Sequence, residues 1–371
     1  MKLAYIISNV DYFVSFDWIS DEIHLKNGEL YFIFLNASKP KLQSIIEKKG
    51  IPCKFIILEQ NKSSYIKVLY SLIKYLKKEK IDVVHAHYFH ASFLGLIAAK
   101  FAGVKRRIYS RHHSTSHHEY FPKTVKYDKL NNYLATNIVA VSNNVSNVLR
   151  EKENVKADKI HIIEHGFDLK SFQNVPQENI NKLRKKYNLP TNTVIIGAIS
   201  RYVKLKGISY LIEAFSNLLA NKKINAHLVL ANARGPYADT IKKELSQLPH
   251  DSFTEISFEN DLFSLYQCFD VFVHIPINSM VEAYGQIYVE ALAAGIPSVF
   301  TLSGIANDFI VHEENALVVD YKNSQEVEEA IYRLLTDKAL AEQLKINGLK
   351  AVERFSLEDM INKLEDLYEL T

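Results

Sequence analysis

Short apolar runs alternate along this chain with longer segments whose apolar residues recur every three or four positions. Runs at 3–8, 30–36, 55–58, 82–87, 107–112, 138–142 and 160–164 read as buried strands. The segments 41–49, 64–80 and 90–102 between them have helical spacing. A polar helical stretch at 178–188 leads to Pro190, and the alternation restarts. Strands are then expected at 194–199, 227–231, 253–258, 270–274, 298–301 and 316–319, and helices at 207–220 and 237–248. From residue 325 onward the chain reads as helical, and Phe355-Ser-Leu-Glu opens a last helix with a capping-box pattern. Strands alternating with helices predict α/β units with parallel sheets covered on both faces.

At 371 residues the chain exceeds what one core usually supports, so two domains are expected. The division is placed at 1–188 and 189–354, with a terminal helix at 355–371 that crosses back to the first domain. The apolar fraction of 47% and charged fraction of 23% are those of a soluble globular protein. Cys53 and Cys268 lie far apart and form neither a metal-ligand spacing nor a disulfide framework, which fits a reducing cytoplasm. The apolar part of the first eight residues is too short for a signal peptide, and no run is long enough to span a bilayer. A cytoplasmic protein, resting at most on the inner face of a membrane, is expected. Residues 1–180 hold 26 Lys/Arg against 17 Asp/Glu, and the remainder 19 against 25. The basic half reads either as a face for an anionic acceptor or membrane, or as a solvated Lys-rich surface. No nucleic-acid partner is expected.

The most informative stretch runs from Glu282 to Pro297. Two carboxylates, Glu282 and Glu290, stand eight positions apart, and Gly285 lies where an apolar helix begins. A helix start presents unpaired N–H groups and the positive end of a peptide dipole, which suits a phosphate. A glycine there lets the backbone approach a ligand. Carboxylates on either side could hold hydroxyls, so the layout matches sugar, diphosphate and ribose.

This segment resembles the E-x7-E signature of retaining glycosyltransferases of the GT-B fold, family 4 (glycosyl transferases group 1). The resemblance implies two Rossmann-like domains with parallel sheets facing across a cleft. It implies Glu282 beside the donor sugar, the N–H groups of Gly285, Gln286 and Ile287 on the diphosphate, and Glu290 on the ribose. Ser200-Arg201-Tyr-Val-Lys204-Leu-Lys206-Gly207, after the first strand of the second domain, resembles the family's Gly-Arg-Leu-x-x-x-Lys-Gly. Arg201 and Lys206 would then neutralise the leaving diphosphate, with Lys204 in reserve. In the first domain Tyr109-Ser-Arg-His112-His113 resembles a Thr-x-His at a strand end, which puts His112 or His113 near the sugar and the reacting centre. His165-Gly-Phe-Asp168 resembles a structural Asn-Gly-Val-Asp turn.

Departures from the family pattern are visible too. The segment 9–17 has no glycine where a Gly-rich loop is usual, and its aromatic residues suggest an aromatic-lined acceptor entry. Asn232 and Asn307 stand where glycine-turn and Glu residues are common. His85 and His87 share a strand face, but no third ligand accompanies them, so no metal is expected; His117-His118 reads as loop. The expected activity is metal-independent, hexosyltransferase-like transfer with retention from a UDP-, GDP- or ADP-sugar to a glycan, lipid-linked or small-molecule acceptor, in surface polysaccharide or lipopolysaccharide assembly. No further cofactor is expected. The alternatives are a sugar-nucleotide epimerase on the same fold and a non-catalytic sugar- or lipid-binding protein.

Overall fold

The structure, a computed structural model, describes residues 1–25, 28–59 and 61–369. It divides into two compact units, 1–167 with 357–371, and 168–356.

The first unit is a seven-stranded sheet of β1 (Lys2–Ser8), β2 (Glu29–Asn36), β3 (Cys53–Ile57), β4 (Val83–His87), β5 (Arg106–Arg111), β6 (Asn137–Ala140) and β7 (Ile160–Ile162). The order is β3-β2-β1-β4-β5-β6-β7, and every paired neighbour is parallel. β1 lies inside the sheet, with Ile6 in register with Ile33 on one side and Ala86 on the other. Its residues from Leu3 to Ile7 are fully buried. A strand buried on both faces must be apolar throughout, which is why these runs were legible as strands without alternation.

The second unit is a six-stranded parallel sheet of β8 (Val194–Ile199), β9 (Ala226–Ala231), β10 (Phe253–Ile256), β11 (Val271–His274), β12 (Ser298–Phe300) and β13 (Leu317–Val318), ordered β10-β9-β8-β11-β12-β13. Both sheets reverse their winding direction beside the first strand, between β1 and β4 and between β8 and β11. Open α/β sheets bind ligands outside the carboxyl ends of strands at such a switch point.

The units divide at Phe167/Asp168, about twenty residues before the expected 188/189. The helices Leu169–Gln173 and Gln177–Lys186 are held by second-unit residues. Phe172 packs edge-on to Phe263, with ring centroids 4.8 Å apart. Arg184 donates to the Cys268 carbonyl, and Lys186 and Tyr187 both bond Glu259. The polar helical stretch at 178–188 was expected to close the first domain, but few side chains are needed to fix a helix to the second unit when they are well placed.

The last helix, Leu357–Glu369, belongs to the first unit. Met360, Ile361, Leu364 and Leu367 are buried with Tyr5 and Phe32. The Tyr368 hydroxyl meets the Tyr5 hydroxyl and His85 Nδ1. Other helices escaped the sequence pattern: Val14–Glu22, Ser116–Tyr120 and Val125–Leu134. None has a side-chain N-cap bond, and the five-residue one is too short to show a period. No helix among the described residues is long and apolar enough to cross a membrane.

Candidate active site

The expected donor residues come together in the second unit. β8 delivers Ser200 and Arg201, and a tight turn, Lys204–Lys206, follows. Gly207 ends that turn with φ +73°, and a Cβ there would lie 2.0 Å from the Ile275 carbonyl oxygen. Only glycine lets this loop lie against the exit of β11. The helix Gln286–Ala293 starts at Gly285, whose φ is +87°. A cavity of about 320 Å³ is lined by Arg201, Lys206, Glu282, Gly285, Gln286, Ile287 and Glu290, beside the ends of β8 and β11. Arg201 is exposed; Lys204, also exposed, is not part of the lining.

The two carboxylates of the motif sit in different electrostatic surroundings. Lys206 Nζ contacts Glu282 Oε1, and His274 Nε2 lies 3.0 Å from the same oxygen. Burial pushes the Glu282 carboxyl up, but the Lys206 charge and the His274 bond outweigh it and hold it at about 2. Ser303 fixes the backbone by accepting from the Glu282 N–H at 3.0 Å. Burial dominates at Glu290 and lifts its carboxyl to about 7, with only the Tyr266 hydroxyl at 2.8 Å opposing the rise. The wall therefore combines two cations and a helix N-terminus with one firmly ionised acid and one that titrates near neutrality. That surface is suited to an anion flanked by hydroxyls. His274 and Tyr266 were not singled out from the sequence, although an imidazole ending an apolar strand is a usable signal.

The first unit separates His112 from His113. His112 Nε2 lies 3.2 Å from His87 Nδ1, and its ring stacks on Tyr88 and on His165. Together with Phe13 and Phe16 these residues line a small, mostly apolar cavity of about 30 Å³ at the ends of β4, β5 and β6. The aromatic residues expected at 9–17 thus reach it from the start of Val14–Glu22. Tyr88 holds φ +71° immediately after β4, a strained conformation for a non-glycine residue. Burial lowers His112 well below the ordinary imidazole value, and lowers His165 to about 4. Both are neutral at pH 7, so they can donate or accept a hydrogen bond without carrying charge. His87 Nε2 is buried with no partner among the described residues.

His113 is absent from that lining. Its Nε2 lies 3.4 Å from Asp128 Oδ2, and His117 Nδ1 lies 2.7 Å from the same oxygen. The expected loop at His117-His118 is a short helix whose two imidazoles are held by separate buried acids, since His118 Nε2 lies 3.0 Å from Glu153. His85 is filled on both ring nitrogens by Tyr368 and Ser110, which leaves it no lone pair for a metal shared with His87.

Comparison with known proteins bears on the family and the fold. The model for Glycosyltransferase Family 4 matches residues 28–171, and that for Glycosyl transferases group 1 matches residues 179–351. The capsular polysaccharide biosynthesis glycosyltransferase CapM of Staphylococcus aureus is 29% identical over 82% of this chain and 81% of its own. A UDP-Gal:alpha-D-GlcNAc-diphosphoundecaprenol alpha-1,3-galactosyltransferase of Escherichia coli is 26% identical over 82% of this chain and 79% of its own. HepE of Anabaena, solved in complex with UDP, superposes with a TM-score of 0.81 at 20% identity, covering both chains fully. Two Rossmann-like units, the two family matches and these relatives make the chain a glycosyltransferase of the GT-B fold, belonging to family 4, glycosyl transferases group 1.

Proposed function

We propose that the protein transfers a hexose, with retention of configuration, from a nucleoside-diphosphate sugar to a glycan or lipid-linked acceptor in surface polysaccharide assembly. The observation that carries this reading is the single cavity bringing Arg201, Lys206, Glu282, Glu290 and the Gln286–Ala293 helix start together. The diphosphate lies on the N–H groups of Gly285, Gln286 and Ile287 between the two cations, Glu290 accepts from the ribose, and Glu282 from the sugar. Negative charge grows on the leaving phosphate as the sugar–phosphate bond breaks, and fixed cations stabilise it. These groups take the place of a metal ion at the donor phosphates. No side chain is assigned as a nucleophile: the acceptor oxygen attacks from the leaving-group face and its proton passes to the departing phosphate oxygen. His112 hydrogen-bonds substrate as a neutral imidazole. The relatives' names, one in capsular polysaccharide biosynthesis and one with a GlcNAc-diphosphoundecaprenol acceptor, support an acceptor of that class.

Thermal-shift titration with UDP, GDP and ADP tests the donor site, since a ligand that binds only the native state raises its melting temperature. One diphosphate should stabilise the wild type and lose its effect in Glu290→Ala and Arg201→Ala. An undiminished shift in both variants would place the nucleotide elsewhere. Transfer assayed without added Mg²⁺ or Mn²⁺, with the product's anomeric configuration read by NMR, tests the chemistry. An inverted product overturns retention.

A further inference from the structure

His113, His117 and Asp128 point one ligand atom each toward a common space, and the three atoms lie within 4.8 Å of one another. We propose that these residues bind a single divalent metal ion of the zinc class, which pins the segment after β5. The donors are two imidazole nitrogens and a carboxylate oxygen, a set typical of zinc.

The geometry is close to what an ion needs. Zinc–ligand bonds of about 2.0–2.1 Å in a tetrahedron put neighbouring donors about 3.3 Å apart. His113 Nε2 and Asp128 Oδ2 are already 3.4 Å apart. His117 Nδ1 stands 2.7 Å from that oxygen, and all three donor atoms lie within 4.8 Å of one another, so the His117 ring has to turn away from Asp128 to take its place about an ion. The two imidazoles are on the open side, with side chains 26% and 17% exposed, while Asp128 is 2% exposed. This gives an entry path and leaves the fourth position to solvent.

The electrostatics favour a cation. Asp128 Oδ1 faces Arg111 NH1 at 3.3 Å, and Arg111 NH2 reaches Glu153 at 2.6 Å. Two buried carboxylates thus share one guanidinium, leaving one negative charge over at the edge of the core. Arg111 also orients the ligating carboxylate, as the outer partners of metal ligands commonly do. Asn132, on the same helix as Asp128, bonds Glu153 and Tyr109 and ties the frame to β5. The chain path agrees: β5 ends at Arg111, so an ion on His113 and His117 would clamp the segment that starts with His112. The ion's role is to hold that segment, and the transfer step is not routed through it.

The test is metal content and cobalt spectroscopy on the full chain. Protein stripped with chelator and reconstituted with zinc should retain about one equivalent after desalting. His117→Ala and His113→Ala should lose most of it and lose zinc's elevation of the melting temperature, and His118→Ala should keep both. Circular dichroism confirms that each variant is folded. Cobalt loaded into the wild type should show the intense visible bands of low-coordinate protein ligation, a readout that needs no variant. Wild type that retains no metal, or a pale octahedral cobalt spectrum, overturns the proposal. So does binding in the folded His113→Ala and His117→Ala variants equal to wild type, because the ion then sits on other surface groups.

Discussion

Glu282 and Glu290 belong to one motif yet have opposite acidities, and each has a consequence that can be measured. A Glu290 carboxyl lifted from 4.5 to about 7 should bind ribose hydroxyls well only when ionised. Affinity for the matching nucleoside, which carries no titrating phosphate, should therefore fall about tenfold from pH 8 to pH 6, one decade per unit below the group's pKa. Glu290→Gln should give weak binding that is flat with pH. The same shift bears on the ligand-free fold with the opposite sign. Because the folded value lies above the unfolded one, this contribution to stability is full below about 4.5 and is lost as pH rises through about 7. Lys206 carries the other prediction: Lys206→Ala should lower kcat about 10²–10³-fold, as loss of one electrostatic stabiliser of a developing anion does, and should also lower the melting temperature, because the largely buried Glu282 loses its main partner. Steady-state kinetics beside a thermal melt decide it. Wild-type turnover in Lys206→Ala would remove that residue from the phosphate's surroundings.

The elements that form the site were legible where the signal is local. β8 and β11 are continuous apolar runs, and the helix after Gly285 follows a glycine and closes with Gly295-Ile296-Pro297. What the sequence hid depends on partners remote along the chain. Tyr266 meets Glu290 across 24 positions and Arg111 meets Glu153 across 42. No spacing rule shows such pairs. The Ser116–Tyr120 helix was hidden for a related reason, since its histidines are held by Asp128 and Glu153 from other segments. The Lys204–Lys206 turn offers a test of geometry at this level. Gly207→Ala would place a methyl group 2.0 Å from a backbone oxygen at φ +73°, so the loop must move away from Ile275. The expected result is a loss of stability of about 1–3 kcal/mol in urea unfolding, together with weakened nucleoside-diphosphate binding as Lys206 is displaced. Unchanged values would mean the loop is slack.

Across the whole chain, the strand series was readable in order, but the boundary between the units at 167/168 was not. Helices at 169–173 and 177–186 join the second unit through a few aromatic and charged contacts, and the last helix joins the first. That return changes the charge picture. Its acids bring the first unit to 26 Lys/Arg against 20 Asp/Glu, a smaller excess than the first 180 residues alone suggest. Tyr368→Phe should test how much the first unit depends on this helix. It strips a buried partner from the Tyr5 hydroxyl and from His85 Nδ1, at a cost of about 1–3 kcal/mol in chemical unfolding. A negligible change would show that both atoms find substitutes.

The first sheet is built from the earliest residues of the chain, yet its cover includes Leu357–Glu369. A ribosome that has made the first 167 residues has therefore not made everything that unit requires. At about 5–20 residues per second the missing piece emerges roughly 10–40 s later. During that interval the second unit is being made while the face around Tyr5 waits uncovered. Nascent chains stalled before residue 357 should accordingly be more open to protease in the first 167 residues than released protein.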